Sequence, residues 1–352
     1  MAGLLTLLVI LATLLFIGSR CVGTGGPGRA QEIAAAAAGV PGYLRPGAAT
    51  YLALPRWYVV YASEEYAAFL DGRAPSGFPH LGALRQYWRH YRDVCAVTRD
   101  RYPFDAGVHF MLGVVGVGFS VEHGAKGVYE ATVGRVTEWI GGHDSAEDDF
   151  ARRTAGEYAR FLRAAPWYEF PFAGRLEALW KETPLWGPRP IRKWERRLAL
   201  STEYGVKALY GWLARMASRG AAVEDQQIHV WAESVPARAF TDGRIHKVRE
   251  VARGSFIVRI PRGDAFTEVV TALARHGARV REIAGNDEIL LTARARGPAA
   301  DLEAAGQVVL TEPILTAPET RRIGVAVSVR MLHVILVALP GRGVTLERLY
   351  EH

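Results

Sequence analysis

One ten-residue pattern occurs twice in this chain. Ser120, Glu122, Gly124, Lys126 and Tyr129 match Ser201, Glu203, Gly205, Lys207 and Tyr210 position for position, 81 residues later. Self-similarity at a fixed offset is the sequence mark of related structural units. Both copies lie among apolar, helix-forming residues, so the pattern predicts two related long helices. Within each copy Glu precedes Lys by four residues, the order that lets the two side chains pair along one helix face. If the helices pack as a pseudo-symmetric pair, Glu122, Lys126, Glu203 and Lys207 meet in a mostly apolar interior. Burial and pairing there shift protonation, which makes these four the candidate catalytic groups. Their simpler role is structural, as two local salt bridges that orient the helices.

The first of these helices is expected to start at Asp105 as N-cap and to run to about 140, the second to run from Pro190 to about 218. Small residues at 113, 116, 120, 124, 127, 131 and 134 fall on one seam, which predicts close backbone contact along Gly116, Ser120, Gly124 and Ser201, Gly205, Ala208. The apolar stretch 108–121 is shorter than the ~20 residues a membrane span needs and reads as a buried core helix, with a re-entrant or second membrane segment as the alternative. Around the pair, the pattern predicts a helix starting at Glu64 with Ser63 as its cap, a helix at 81–98, one at 146–164 capped by Asp144 or Ser145, and a short one at 173–182. Together these make a helical-bundle domain, 51–222.

Residues 2–17 are uninterrupted apolar or small side chains, and 1–21 reads as an uncleaved membrane anchor helix, followed by a Gly- and Pro-rich linker, 22–50, around a short Ala-rich helix at 31–38. Arg20 and Arg29 follow the apolar run, so the positive-inside rule places the bulk of the chain in the cytoplasm. Abundant Ala, Gly and Arg with little Lys fit a bacterial genome, hence a bacterial inner membrane. The basic start of the second repeat helix, Arg189, Arg192, Lys193, Arg196 and Arg197, beside Trp186 and Trp194, offers a second lipid contact, the simpler reading being a solvated helix face with the tryptophans packed into the domain. The excess of 43 Lys and Arg over 36 Asp and Glu is modest, and Arg and aromatic residues are scattered, so no nucleic-acid partner is expected. Cys21 and Cys95 are too few for a disulfide framework or a four-ligand zinc site and read as a linker thiol and a buried thiol.

From 228 the rhythm changes to strands alternating with helices. Two β-α-β halves within 228–352 predict a ferredoxin-like α/β sandwich, and the last 30 residues resemble the small ligand-binding ACT modules in their strand, helix, strand order. The fold class is therefore α+β: an anchor helix, a helical bundle built on two related long helices, and a C-terminal α/β sandwich. Walker A, G-x-S-x-G and G-x-G-x-x-G in its strand–helix setting are missing, so no cofactor is indicated. His109, His123 and Glu130 share a helix face and are the weak candidates for metal ligands, without the Glu-x-x-His spacing of di-iron bundles. The expected function is that of a membrane-anchored, non-catalytic scaffold or sensor whose C-terminal module binds a protein partner or small ligand. The alternative is an enzyme or metal-binding protein using Glu122, Glu203 and His123, with Tyr129 and Tyr210 in support.

Overall fold

The structure, a computed structural model, describes residues 21–23, 37, 39–218 and 226–352. The expected anchor, apart from Cys21, and the expected helix at 31–38, apart from Ala37, lie outside the described residues. The chain is mixed α and β, with, among the described residues, seven helices of seven residues or more before residue 219 and two four-stranded antiparallel sheets after residue 226. Its backbone contacts gather into two compact units. One comprises residues up to Arg56, Trp88–Gly116 and Glu224–His352; the other comprises Trp57–Tyr87 and Val117–Val223.

Helix α1, Ala49–Leu70, starts well before the expected cap at Ser63. Tyr51, Leu54, Tyr58 and Tyr61 repeat at spacings of three and four and are all buried, so the aromatic stretch ahead of Ser63 is itself helical. The Ser63 hydroxyl donates to the Val59 carbonyl at 2.9 Å, one turn back, as a mid-helix serine does. Helix α2 is His80–Thr98. Helix α3, Ala106–Tyr129, begins where Asp105 Oδ1 accepts from the Val108 amide at 3.0 Å, as an N-cap should. It widens into a π-helical turn at Glu130–Gly134 and continues as α4, Arg135–Gly141.

Helix α5, Ala146–Ala164, opens with a full capping box between Ser145 and Asp148. Helices α6, Phe172–Glu182, and α7, Pro190–Ser218, complete the set. The helical unit also has an aromatic layer, in which Tyr87 stacks on Phe119 and Tyr58 meets both rings edge-on. One helix among the described residues, 106–141, is long and apolar enough to cross a membrane, and 33% of its most apolar window is buried. The stretch 108–121 is thus not the enclosed core helix that its length suggests: Phe110, Val114 and Val121 are exposed.

The other unit is organised by its two sheets. The first contains β1, Gln227–Glu233, β2, His246–Ala252, β3, Ser255–Pro261, and β4, Arg279–Ile283, in the order β2-β3-β1-β4. Helix α8, Asp264–Arg275, joins β3 to β4. The second contains β5, Glu288–Ala295, β6, Gly306–Ile314, β7, Ala317–Ser328, and β8, Val344–Tyr350, in the order β6-β7-β5-β8. Short α9, Ala300–Glu303, follows β5, and α10, Leu332–Ala338, follows β7.

Where the sequence suggests one sandwich, the same strand order therefore occurs twice in tandem. A single core joins both sheets, with Val230, Val258, Leu291, Val325 and the α8 face of Phe266, Val269, Val270 and Leu273 fully buried. In the same unit, Thr50 Oγ1 accepts from the Leu290 amide at 2.9 Å and donates to the Tyr350 carbonyl, tying the start of α1 to the second sheet.

Cys21 and Cys95 form a disulfide, with Cα atoms 4.9 Å apart. The expectation of two separate thiols is overturned. The apolar stripe of α2 that buries Cys95 also holds it within reach of Cys21, the last residue of the expected anchor.

Candidate functional site

The two copies of the repeat lie on α3 and α7, and the helices pack antiparallel. Gly141 is against Arg192, Glu130 against Arg196, Lys126 against Glu203 and Glu122 against Lys207. The four candidate groups meet as a ring of alternating charge. Lys126 Nζ lies 3.1 Å from Glu122 and 2.7 Å from Glu203; Lys207 Nζ lies 2.7 Å from Glu122 and 2.9 Å from Glu203. Each ammonium also sits over aromatic faces, Lys126 at 5.3 Å from the Tyr66 ring and Lys207 at 5.1 Å and 5.2 Å from Tyr158 and Phe172, the geometry of cation–π contacts.

The helices meet through this ring, and the expected seam makes no close contact at Gly124 or Gly205. A side chain at Gly124 or Gly205 would meet no atom within 4 Å, and Ser201 accepts instead from Trp180 Nε1 at 3.0 Å. The close glycines lie elsewhere: a Cβ at Gly127 would stand 3.2 Å from that of His80, and one at Gly141 would stand 2.6 Å from that of Arg192 on α7.

The ring borders a cavity of about 60 Å³ open to the centre of a water-sized sphere. At ~10–15 Å³ per water on that measure, it has room for a few waters or one small polar molecule. Tyr66 of α1, His80 of α2, His123 of α3, Thr154 and Tyr158 of α5, and Tyr204 of α7 complete its wall. His80 and His123 approach through their Nδ1 atoms at 3.2 Å, so one ring donates and the other accepts. Phe119 stacks on His123 at 4.0 Å and Phe78 meets His80 edge-on. His80 Nε2 is buried with no hydrogen-bond partner in the protein, and a buried polar atom of this kind is costly unless something fills the place.

The charge states around the cavity are fixed. Burial, then the nearby Lys126 charge, pushes His80 down to about 3, and burial pushes His123 down to about 4. Burial alone would raise the two carboxyls, but the two ammonium groups outweigh it: Glu122 is held well below its usual range and Glu203 is brought to about 2. Burial likewise opposes charge on the lysines, and the carboxylates hold Lys126 and Lys207 above their ordinary value. At neutral pH the site therefore holds two carboxylates, two ammoniums and two neutral imidazoles.

The basic start of α7 faces inward. Arg192 bonds Asp148 at 2.8 Å and Glu195 at 3.1 Å; Lys193 and Arg197 share Glu147 at 2.8 Å and 2.7 Å; Arg196 bonds Glu130 at 2.7 Å. Arg197 lies between the rings of Trp180 and Trp194. Of the five basic residues expected to meet lipid, four are buried and only Arg189 is exposed. The acidic first turn of α5 neutralises them.

The repeated tyrosines part company. The Tyr129 hydroxyl donates to Glu195, and Tyr210 stacks on Trp167 at 5.0 Å; neither reaches the cavity. The metal candidates also separate: His123 faces the cavity, Glu130 is taken by Arg196, and His109 Nδ1 meets the Tyr91 hydroxyl at 3.0 Å. Among the described residues one group of possible ligands does assemble, Cys21, Cys95 and His109, within 4.8 Å of one another. As a disulfide its two sulfurs offer no thiolate, the form that binds metal.

Sequence reasoning misses His80 and the three cavity tyrosines. They come from four different helices, so no local spacing joins them. Compared with protein families, curated proteins and solved structures, the chain matches none.

Proposed function

We propose that the protein is a membrane-anchored binding protein or sensor whose helical unit holds a small polar molecule in the cavity beside the Glu122, Lys126, Glu203 and Lys207 ring. The observation that carries this reading is the buried, unpartnered Nε2 of His80 at a cavity already lined by fixed charges and three tyrosines. A ligand with both donor and acceptor atoms would complete the hydrogen bonding there, and the site would keep its charges while binding it. The enzyme alternative, with Glu122, Glu203 and His123 as acid and base, has less support. An efficient proton donor or acceptor has a pKa near the working pH, and these groups are shifted away from neutrality.

In this reading the apolar segment 2–17 holds the chain at a bacterial inner membrane. The Cys21–Cys95 disulfide supports a body on the oxidising, extracytoplasmic side, because such bonds persist there and not in the cytosol. Two arginines after the anchor argue the other way with less weight. The C-terminal unit is two tandem ferredoxin-like modules, supported by the shared antiparallel strand order, and serves as the surface for a protein partner.

Native mass spectrometry of the detergent-extracted full chain, beside its His80→Phe variant, is the test. A small molecule retained by the parent chain and lost from the variant supports the binding site. Identical masses with no retained molecule in either contradict it.

A further inference from the structure

The α3–α7 pair is turned inside out. Its charges face inward, and the same two helices present Val121 and Val128, and Val206 and Leu209, to the outside at 62% to 66% exposure. Val128 and Leu209 are matching positions of the two repeats, and the counterparts of Val121 and Val206, Thr202 and Ala125, are exposed as well. Two antiparallel helices that touch through the same positions are related by a local two-fold axis perpendicular to the pair, so matching positions lie on the same side of it. The exposed rows therefore form one apolar face.

On α7 the row continues through Leu198 and Leu213, both exposed. Indoles border it at both ends. Trp139 and Trp186, 87% and 80% exposed, stand at the end where Gly141 meets Arg192, and Trp212, 50% exposed, stands near the other. From Pro190 to Trp212 the helix rises ~33 Å at 1.5 Å per residue, and two helices about 10 Å wide give a face on the order of 600 Å². An apolar face of that size on a soluble surface marks an interaction site.

We infer that this face lies in the lipid of the membrane to which residues 2–17 anchor the chain, immersed to the boundary between headgroups and acyl chains. Exposed tryptophans at both limits of an apolar band are placed as indoles are at the membrane interface. The face lies along the membrane and does not cross it, because α5, packed on the cavity side of the pair, carries exposed Arg153 and Arg160, which hydrocarbon would exclude. The lipid contact expected from the basic start of α7 is thereby reassigned to its apolar side.

The test uses the full chain on vesicles of phosphatidylcholine and phosphatidylglycerol. The paired native cysteines leave an introduced one free to carry a nitroxide. At Val128→Cys, Val206→Cys and Leu209→Cys, relaxation by oxygen should exceed relaxation by a water-soluble nickel complex; at Arg160→Cys the order should reverse. The unlabelled chain gives a second reading, since residues 1–20 contain no tryptophan: acyl-brominated lipid should quench its emission, and less so in Trp139→Phe with Trp186→Phe. Nickel dominance at all four positions with unquenched tryptophan would overturn the inference, as would spin–spin broadening that places a second copy on the face. A chain that floats with vesicles but carries water-exposed labels fails the face alone; one that does not float fails the anchor as well.

Discussion

The two units of this protein differ in what their helices and strands leave outside. In the α/β unit the strands and α8 turn Val, Ile, Leu and Phe into one shared core, and charged residues such as Arg259 and Glu268 lie outside it, while Arg322, Arg348 and Glu312 are buried. In the helical unit α3 and α7 turn Glu, Lys and Arg inward and leave Val, Leu and Trp outside. The first arrangement is what water selects. The second is stable where the surroundings are as apolar as the exposed side chains and where each inward charge finds a partner. A buried pair is expensive to desolvate and contributes little net stability, so the helical unit depends on keeping its pairs intact more than on having them.

That difference can be broken at named residues. The largest effect is expected from Arg192→Met, which leaves Asp148 and Glu195 buried with fewer partners. It should cost about 3–5 kcal/mol, read by hydrogen exchange as lost protection in α5 and α7 with the sheets unchanged; unchanged exchange in both units would show that the network is not holding the helices. In the α/β unit Leu291→Ala, a fully buried core position, should cost about 2–5 kcal/mol in the same experiment, with the loss confined to the sheets.

Glu203→Gln is expected to cost less, on the order of 1 kcal/mol, because the ring is partly open to the cavity and screened there. It should also free Lys126 and Lys207 to titrate at lower pH, which selective chemical modification of lysines would detect. The smallest effect belongs to Leu209→Ser. On an exposed position it should change detergent-phase stability by no more than ~0.5 kcal/mol; a loss as large as that of Leu291→Ala would mean that Leu209 is core.

Local signals made much of the fold legible. The capping box at Ser145 and Asp148 and the proline at 190 mark helix starts that the structure keeps, and the strand, helix, strand rhythm after 228 survives as two sheets. The Glu and Lys spacing of the repeat brought the charge ring within reach of sequence alone. The glycines of the same repeat misled, because their period fits a packing seam equally well whether or not a neighbour is there. Ser63 misled because its hydroxyl has a partner available inside a helix as well as at its start.

The inward turn of Arg192, Lys193, Arg196 and Arg197 was present in the sequence as a match of two helix starts, one acidic at 147–149 and one basic at 192–197. That match carries meaning only once the two helices are known to be neighbours. His80 and the cavity tyrosines had no local signal at all, since the cavity is assembled from helices far apart in the chain.

If the cavity binds a ligand as proposed, its groups do so without exchanging protons at physiological pH. Nitrogen-15 NMR of the histidine-labelled chain tests this most directly. His80 and His123 have folded-state values near 3 and 4, depressed below the unfolded value of about 6.5. The stability they contribute is therefore fully present above pH 6.5 and is lost as pH falls from there through 4 and 3. The predicted result is that both rings remain neutral from pH 8 to about 5, with Nδ1 shifts showing one donor and one acceptor. Uptake of a proton by either ring between pH 6 and 7 in the folded chain would contradict the binding account and favour acid–base chemistry at this site.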